Sequence, residues 1–253
     1  MIVFSYDKSF EGLLSVVFDA YNRKIFPDKL LGEGDLQPLF TESHFQVITS
    51  SEKSERVWAG LQKKLPRKIC DMLICLWLSE EKGSDELLFR YIRKVFDSPE
   101  RIFTDFADDD MLQVKKIAEK VAKERLYLIQ FIRFQKTSDD TYVAFVSPKY
   151  NALPLTLGYL TDRFGGQKWL VYDLRRKYGY YYDLEKVIEI TLTKDDDLSD
   201  GRLNKEMMAE DEQLFQELWK NYFKALTIKE RLNPRLHTRN MPRRFWKYMT
   251  EKQ

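Results

Sequence analysis

The stretch YLIQFIRFQKTSDDTYVAFVSP, residues 127–148, gives the clearest indication of the fold class of this chain. Apolar and polar residues alternate on both sides of a polar segment at residues 138–140, which is typical of a β-hairpin. We therefore predict that residues 128–136 and 142–147 form its two strands.

A second alternating pair follows the first. Residues 168–173 and 178–183 predict another hairpin, and residues 155–164 between the two hairpins predict a short helix that ends at a Gly-Gly pair. Two strands, a helix and two strands indicate an antiparallel or mixed sheet over residues 125–192 with helices packed against it. The expected fold class is α+β.

Helical periodicity dominates both ends of the chain. We predict a single α+β domain over residues 1–253, in which residues 1–124 are mainly helical, residues 125–192 are rich in β-structure and residues 205–253 are helical and basic. The N-terminal segment is predicted to contain strands at residues 2–6 and 44–50, and helices at residues 9–24, 51–65, 67–79, 84–96 and from 111 to 126 or beyond.

Composition is that of an ordinary globular protein, with 43% apolar and 32% charged residues. A net charge of +2 says little about partners, but the charges are unevenly distributed. Residues 195–212 carry eight acidic against two basic residues, and residues 229–252 carry eight basic against two acidic ones. These two blocks could pair with each other or form opposite poles.

The chain carries two cysteines, Cys70 and Cys75, whose spacing on a helix points their side chains in different directions. Unpaired thiols suit a reducing compartment. The apolar run around them is too short for a membrane span, and the N-terminus lacks the pattern of a signal peptide. We expect a cytoplasmic protein.

Motifs for metals and cofactors are weak. Gly32 and Gly34 begin a dinucleotide-binding pattern that lacks its third glycine, and the spacing of the cysteines with His44 and His237 fits no zinc finger. The aspartate triplets at residues 108–110 and 195–197 could hold Mg²⁺, but they are better interpreted as solvated loops. We expect no bound metal and no cofactor.

Basic residues cluster at the turn of the second hairpin, where Arg175, Arg176 and Lys177 should project into solvent. The alternate tyrosines of residues 178–182 would share one face of the sheet. Basic side chains beside aromatic rings can bind phosphates and stack on bases. The alternative is an ordinary exposed turn whose tyrosines pack the sheet.

The C-terminal segment carries a second basic cluster. Its guanidinium groups suit phosphate, and the histidine could donate a hydrogen bond there. The alternative is a tail that pairs with the acidic block at residues 195–212. The candidate contacts in this segment are Arg235, His237, Arg239, Arg243 and Arg244.

Four long stretches together resemble a bacterial family labelled as DNA metabolism or DNA repair proteins. The resemblance spans almost the full length. By this resemblance, a glycine would be expected at the position of Lys8. The third stretch begins at Arg163, which therefore joins the candidate contacts. The stretches are YDKSFEGLLSVVFDAY (6–21), FIRFQKTSDDTYVAFVSPKYNALPL (131–155), RFGGQKWLVYDLRRKYGYYYD (163–183) and ERLNPRLHTRNMPRRFWKYMTE (230–251).

The resemblance implies a cellular context and no reaction. The family takes its label from association with a radical-SAM protein, and a related domain of unknown function precedes uracil-DNA-binding glycosylase-like domains in longer chains. The leading hypothesis is thus an accessory protein that binds DNA or a partner and works with a radical-SAM enzyme in DNA repair or modification.

Two alternatives stay open. An enzyme acting on a nucleobase or a DNA end would use Asp7, Glu11 or Asp173 as its general acid or base. A structural interaction module would instead carry an exposed apolar patch and no basic face.

Overall fold

The computed structural model describes residues 1–98, 108–192, 203 and 205–252. The chain separates into two units, Met1–Ala122 and Lys123–Gln253. Each unit contains helices and a sheet, so the predicted α+β class is confirmed. The single domain expected from the sequence stays a prediction.

A three-stranded parallel sheet lies at the centre of the first unit. Strand β1 (Ile2–Tyr6) pairs on one side with β2 (Lys29–Gly32) and on the other with β3 (Ser43–Gln46). The sequence correctly predicted β1 and β3. It missed β2, because four residues are too few to show a period.

Helices in the first unit match their predicted bounds to within a few residues. Phe4 and Tyr6 of β1 are fully buried in a core built with these helices. The helices are α1 (Phe10–Arg23), α2 (Ser51–Lys64), α3 (Arg67–Leu78), α4 (Ser84–Asp97) and α5 (Asp109–Phe131), the last of which continues into the second unit.

The turn between β1 and α1 explains why the resemblance expects glycine at residue 8. Lys8 has a φ of 56°, in the left-handed region that favours glycine. The Oγ of Ser9 then caps α1 by accepting from the Gly12 N–H at 2.9 Å. The tight turn is therefore made in this chain despite a lysine at its strained position.

A five-stranded mixed sheet organises the second unit, in the order β4-β5-β6-β7-β8. Only β5 and β6 pair in parallel, and helix α6 (Leu157–Arg163) lies between them in the chain. The other neighbours are antiparallel. The strands are β4 (Gln135–Lys136), β5 (Tyr142–Val146), β6 (Trp169–Asp173), β7 (Tyr178–Tyr182) and β8 (Val187–Ile190).

The strand predicted at residues 128–136 is wrong over most of its length. Helix α5 continues to Phe131, and only Gln135–Lys136 pairs with β5. Leu128 and Phe131 are buried three residues apart, and the rings of Tyr127 and Phe131 stack at 5.9 Å. The apolar residues thus also fit a helical face, and extension of an existing helix costs less than a new start.

The C-terminal segment is helical, as predicted. It contains helix α7 (Glu212–Leu226) and the short helix α8 (Pro234–Asn240), which is capped by the side chain of Asn233. The turn Arg243–Tyr248 follows Pro242. Among the described residues, no helix is both long and apolar enough to span a membrane.

Candidate nucleic-acid interface

The basic turn between β6 and β7 is built around the fully buried carboxylate of Asp173. Its Oδ1 accepts hydrogen bonds from the backbone N–H groups of Arg175 at 2.9 Å and Arg176 at 3.3 Å. Its Oδ2 accepts from Nη1 of Arg176 at 2.8 Å. One buried acid therefore shapes the turn and holds one of its three cations.

Arg176 consequently does not project freely into solvent, as the sequence predicted for all three cations. Its side chain is 11% exposed, and it also donates to the backbone carbonyls of Pro148 and Lys149. A buried carboxylate requires a counter-charge, and Arg176 supplies it. Arg175 and Lys177 are exposed, as expected.

A second buried carboxylate, Glu124 of α5, holds the C-terminal segment. Its side chain is 2% exposed and forms an ion pair with Arg244. The Oε1 of Glu124 also accepts from the backbone N–H of Lys149 at 2.6 Å. Glu124 therefore fixes both Arg244 and the loop that follows β5.

Lys149 joins the two basic clusters. Its N–H donates to the carboxylate that binds Arg244, and its carbonyl accepts from Nη1 of Arg175 at 2.7 Å and from Nη2 of Arg176 at 3.3 Å. The turn at residues 175–177 and the C-terminal segment thus meet at one backbone residue.

Acidic and basic groups at this junction differ in their exposure to solvent. The carboxylates of Asp173 and Glu124 are buried, whereas four of the cations around them are exposed. We name the four exposed residues the basic surface: Lys149, Arg175, Lys177 and Arg244.

The other predicted contacts are dispersed. Arg235 and Arg239 are exposed on α8, and no side chain among the described residues pairs with them. Arg243 lies 5.7 Å from the ring of Trp246. Arg163, at the end of α6, is exposed beside Phe164.

His237 is half-buried, with its ring edge-on to Trp246 at a centroid distance of 5.6 Å. Burial lowers its pKa below the ordinary histidine value, and the charge of Lys252 lowers it further. Its Nε2 is buried and has no hydrogen-bond partner in the regions that the structure describes. The ring also lines a cavity of about 450 Å³ between α5 and α8.

The tyrosines of β7 follow the predicted alternation. Tyr178 and Tyr180 lie on one face with their ring centroids 5.6 Å apart, and Tyr182 stacks on Trp169 at 5.4 Å. Burial, followed by the nearby Glu189, raises the pKa of Tyr180 to about 12. Tyr178 donates a hydrogen bond to Asn151, so this face supports the same loop as the basic turn.

The carboxylates considered for catalysis occupy different environments. Both oxygens of Asp173 accept hydrogen bonds within the turn. Burial of Asp7 is outweighed by hydrogen bonds from Ser9 and Thr49, which lower its pKa. Glu11 is exposed in the first turn of α1.

The first aspartate triplet is paired with basic residues. Lys94 contacts Asp108 at 2.6 Å and Asp110 at 2.7 Å, and Arg90 also contacts Asp110. The second triplet, at residues 195–197, lies outside the described residues, as does half of the acidic block at residues 195–212. Where the structure is described, no three His, Cys, Asp or Glu side chains are grouped to hold a metal.

Lys149 and Glu124 were not among the residues predicted from the sequence. Lys149 lies three residues after the end of β5, in the loop SPKYN, and its closeness to a predicted strand end was visible in the sequence. Glu124 lies in a helix rich in charged residues, and its burial could not be distinguished there from ordinary exposure.

Comparison with known proteins gives one match. The model of a domain of unknown function, DUF4130, matches residues 82–251, which include the basic surface, Glu124 and Asp173. No curated protein and no solved structure matches the chain significantly. Since the match covers more than half of the sequence, the chain belongs to the DUF4130 family.

Proposed function

We propose that this chain is an accessory protein of DNA repair or modification that binds the phosphate backbone of DNA through the basic surface. One observation carries the proposal: the buried carboxylates of Asp173 and Glu124 hold the turn and the loop, and four exposed cations lie around them. Pre-ordered cations lose less conformational entropy when they bind a phosphate.

Backbone binding of this kind is independent of base sequence and strongly salt-dependent. Arg175 and Arg244 supply planar guanidinium groups, which match phosphate oxygens in pairs. Lys149 and Lys177 add compact charges. Arg163, Arg235, Arg239 and Arg243 would extend the contact to neighbouring phosphates.

On the resemblance, we further propose that the protein works in the cytoplasm with a radical-SAM enzyme. That enzyme would hold the iron–sulfur cluster, because this chain has only two cysteines and such clusters ordinarily use four.

Fluorescence anisotropy with labelled single-stranded, duplex and uracil-containing DNA, over a salt series from about 50 to 200 mM, tests the DNA proposal. We expect binding whose logarithm falls steeply and linearly with the logarithm of salt concentration. Absence of binding even at the lowest salt would overturn the proposal.

Partner binding is a second candidate, favoured by the apolar face of α7. Leu218 is 53% exposed and Tyr222 56% exposed, and Leu214, Phe215 and Leu226 are exposed to a similar extent. Continuous apolar exposure of this kind is typical of interaction surfaces. The radical-SAM protein that the resemblance implies as a partner should co-purify with the wild type and not with Leu218→Asp/Tyr222→Asp. Equal recovery of that partner with the wild type and with the variant would contradict binding through α7.

A further inference from the structure

We propose that the first unit contains a nucleophilic site of its own, in which Ser5 is activated by His44 to accept an acyl group from a small neutral or cationic ester or amide. The site is a cavity of about 270 Å³ on the parallel sheet. It lies outside residues 82–251, so the family match does not cover it. Its polar lining includes Ser5, Glu33, Asp35, Gln37, His44 and Gln46.

Sheet topology places this cavity where ligand sites commonly form. The chain passes from the central β1 to β2 on one side and then to β3 on the other, so the strand order reverses at β1. In open parallel sheets, ligands bind near the carboxyl ends of the strands at such a reversal. The last residue of β2 and the three that follow it, residues 32–35, contribute to the lining at this position.

Strand register brings the serine and the histidine to one face. Val3 pairs with His44, and Ser5 pairs with Gln46. Alternation turns Ser5 away from Phe4 and Tyr6, which belong to the hydrophobic core on the opposite face. Ser5 and His44 are therefore neighbours on the face that carries the cavity.

Hydrogen bonds connect three side chains in series. The Oγ of Ser5 lies 2.8 Å from Nε2 of His44, and Nδ1 of His44 lies 2.9 Å from the side-chain amide of Gln37. A nucleophile, a base within hydrogen-bond distance and a third group that orients the base are the features of an activated nucleophile.

The orientation of the Gln37 amide sets the direction of proton transfer. With its NH₂ toward Nδ1, His44 carries a proton on Nε2 and donates to Ser5. With its oxygen toward Nδ1, His44 keeps the Nδ1 proton and Nε2 accepts the proton of Ser5. A half-turn of the amide interconverts the two without moving heavy atoms appreciably, and the second arrangement is the reactive one.

The lining restricts the substrate. Two carboxylates, Glu33 and Asp35, belong to it and are held in place: Gln46 donates to Glu33 at 3.2 Å, and the N–H of Gly32 donates to Asp35 at 2.7 Å. They repel anions, so DNA and phosphate esters are poor ligands here. A volume of about 270 Å³ is below that of typical drug-sized pockets and suits a short acyl group.

The reaction balances without a further reagent except water. Ser5 Oγ attacks the carbonyl carbon while His44 Nε2 takes the hydroxyl proton. The carbon–leaving-group bond then breaks, and the imidazolium returns that proton to the leaving alcohol or amine. Water, deprotonated by the same histidine, hydrolyses the acyl-serine and regenerates Ser5.

Labelling the full-length protein with a neutral dialkyl fluorophosphate, followed by peptide mass spectrometry, tests the site directly. Ser5 Oγ would form a bond to phosphorus as the P–F bond breaks, with fluoride leaving and His44 taking the proton. We expect a single adduct on Ser5 that is absent in Ser5→Ala. Ser54→Ala is the matched control, because Ser54 is also buried in this unit but donates only to a backbone carbonyl.

His44→Ala separates activation from accessibility. His44 is exposed, so this variant should still fold, with its unfolding midpoint lowered only by the loss of the hydrogen bonds to Ser5 and Gln37. We expect its labelling rate to fall at least about 100-fold, the typical contribution of a general base. No adduct on the wild type, or an equal rate in His44→Ala, would show that the Ser5–His44 bond only links two strands.

Discussion

Arg176 and Arg244 differ from Arg235 and Arg239 in a way that the sequence does not reveal. Each of the first two forms an ion pair with a carboxylate that is at most 2% exposed. The other two are exposed on α8, where no described residue pairs with them. A buried partner therefore makes a basic residue part of the fold. Arg244, which is 38% exposed, also keeps part of its side chain at the surface, whereas Arg176 is only 11% exposed.

The candidate contacts therefore differ in whether their loss would affect stability or DNA binding. Substitutions at the buried carboxylates should change stability most, and substitutions at unpaired exposed cations should change DNA binding with little effect on stability.

Asp173→Ala should have the largest effect, a loss of about 3–5 kcal/mol in the free energy of unfolding, because it removes a fully buried acceptor from Nη1 of Arg176 and from the backbone N–H groups of Arg175 and Arg176. Urea denaturation measures this. Asp162→Ala, at an exposed aspartate of α6, is the control and should change stability by less than about 0.5 kcal/mol. Equal effects would contradict the structural role of Asp173.

Glu124→Ala should cost about 2–3 kcal/mol, since the Lys149 N–H loses its acceptor and Arg244 loses its partner. The loss is smaller than for Asp173→Ala, because Arg244 is 38% exposed and water screens the charge of its guanidinium group. Glu119→Gln, on the exposed side of the same helix, is the control. An unchanged urea midpoint for Glu124→Ala would show that Lys149 and Arg244 are held by other contacts.

Glu251→Gln tests a third ion pair by its pH dependence. Burial opposes ionisation of Glu251, but hydrogen bonds from Arg133 and Trp219 outweigh burial and lower its pKa. A lowered native pKa stabilises the fold above the unfolded pKa of about 4.3, and this stabilisation is lost as pH falls through the native pKa. The variant should be less stable by about 2 kcal/mol at pH 7 and by much less near pH 3. A difference that does not change with pH would contradict this ion pair.

Arg235→Gln/Arg239→Gln should have the smallest effect on folding, under about 0.5 kcal/mol, because neither side chain has a partner in the described residues. DNA affinity should nevertheless fall for every DNA sequence tested. A large loss of stability would show that these two arginines have structural partners, as Arg176 and Arg244 do.

Local patterns predicted much of the first unit. Apolar periodicity located α1 to α4, a short apolar run located β1 and alternation located β3. Strand pairing depends on residues distant in the sequence, so local patterns could predict neither the parallel register of the sheet nor the four-residue strand β2. At residues 127–131 a helix and a strand explain the same apolar residues, and packing decided for the helix.

The candidate contacts show the same division. Residue type and clustering indicated the two basic segments, including the exposed Arg175 and Lys177. Their junction depends on Glu124, which lies 120 residues from its partner Arg244. No local pattern in the sequence could predict which cations would be paired.

Lys149→Gln/Lys177→Gln tests the central claim most directly, through the salt dependence of DNA binding. Its control, Lys63→Gln/Lys68→Gln, removes the same charge from exposed lysines of the first unit. We predict that the slope of log K against log salt decreases in magnitude by about 2 in the first variant and is unchanged in the control, with equal unfolding midpoints. An identical slope in both variants would contradict the claim that the basic surface binds phosphates.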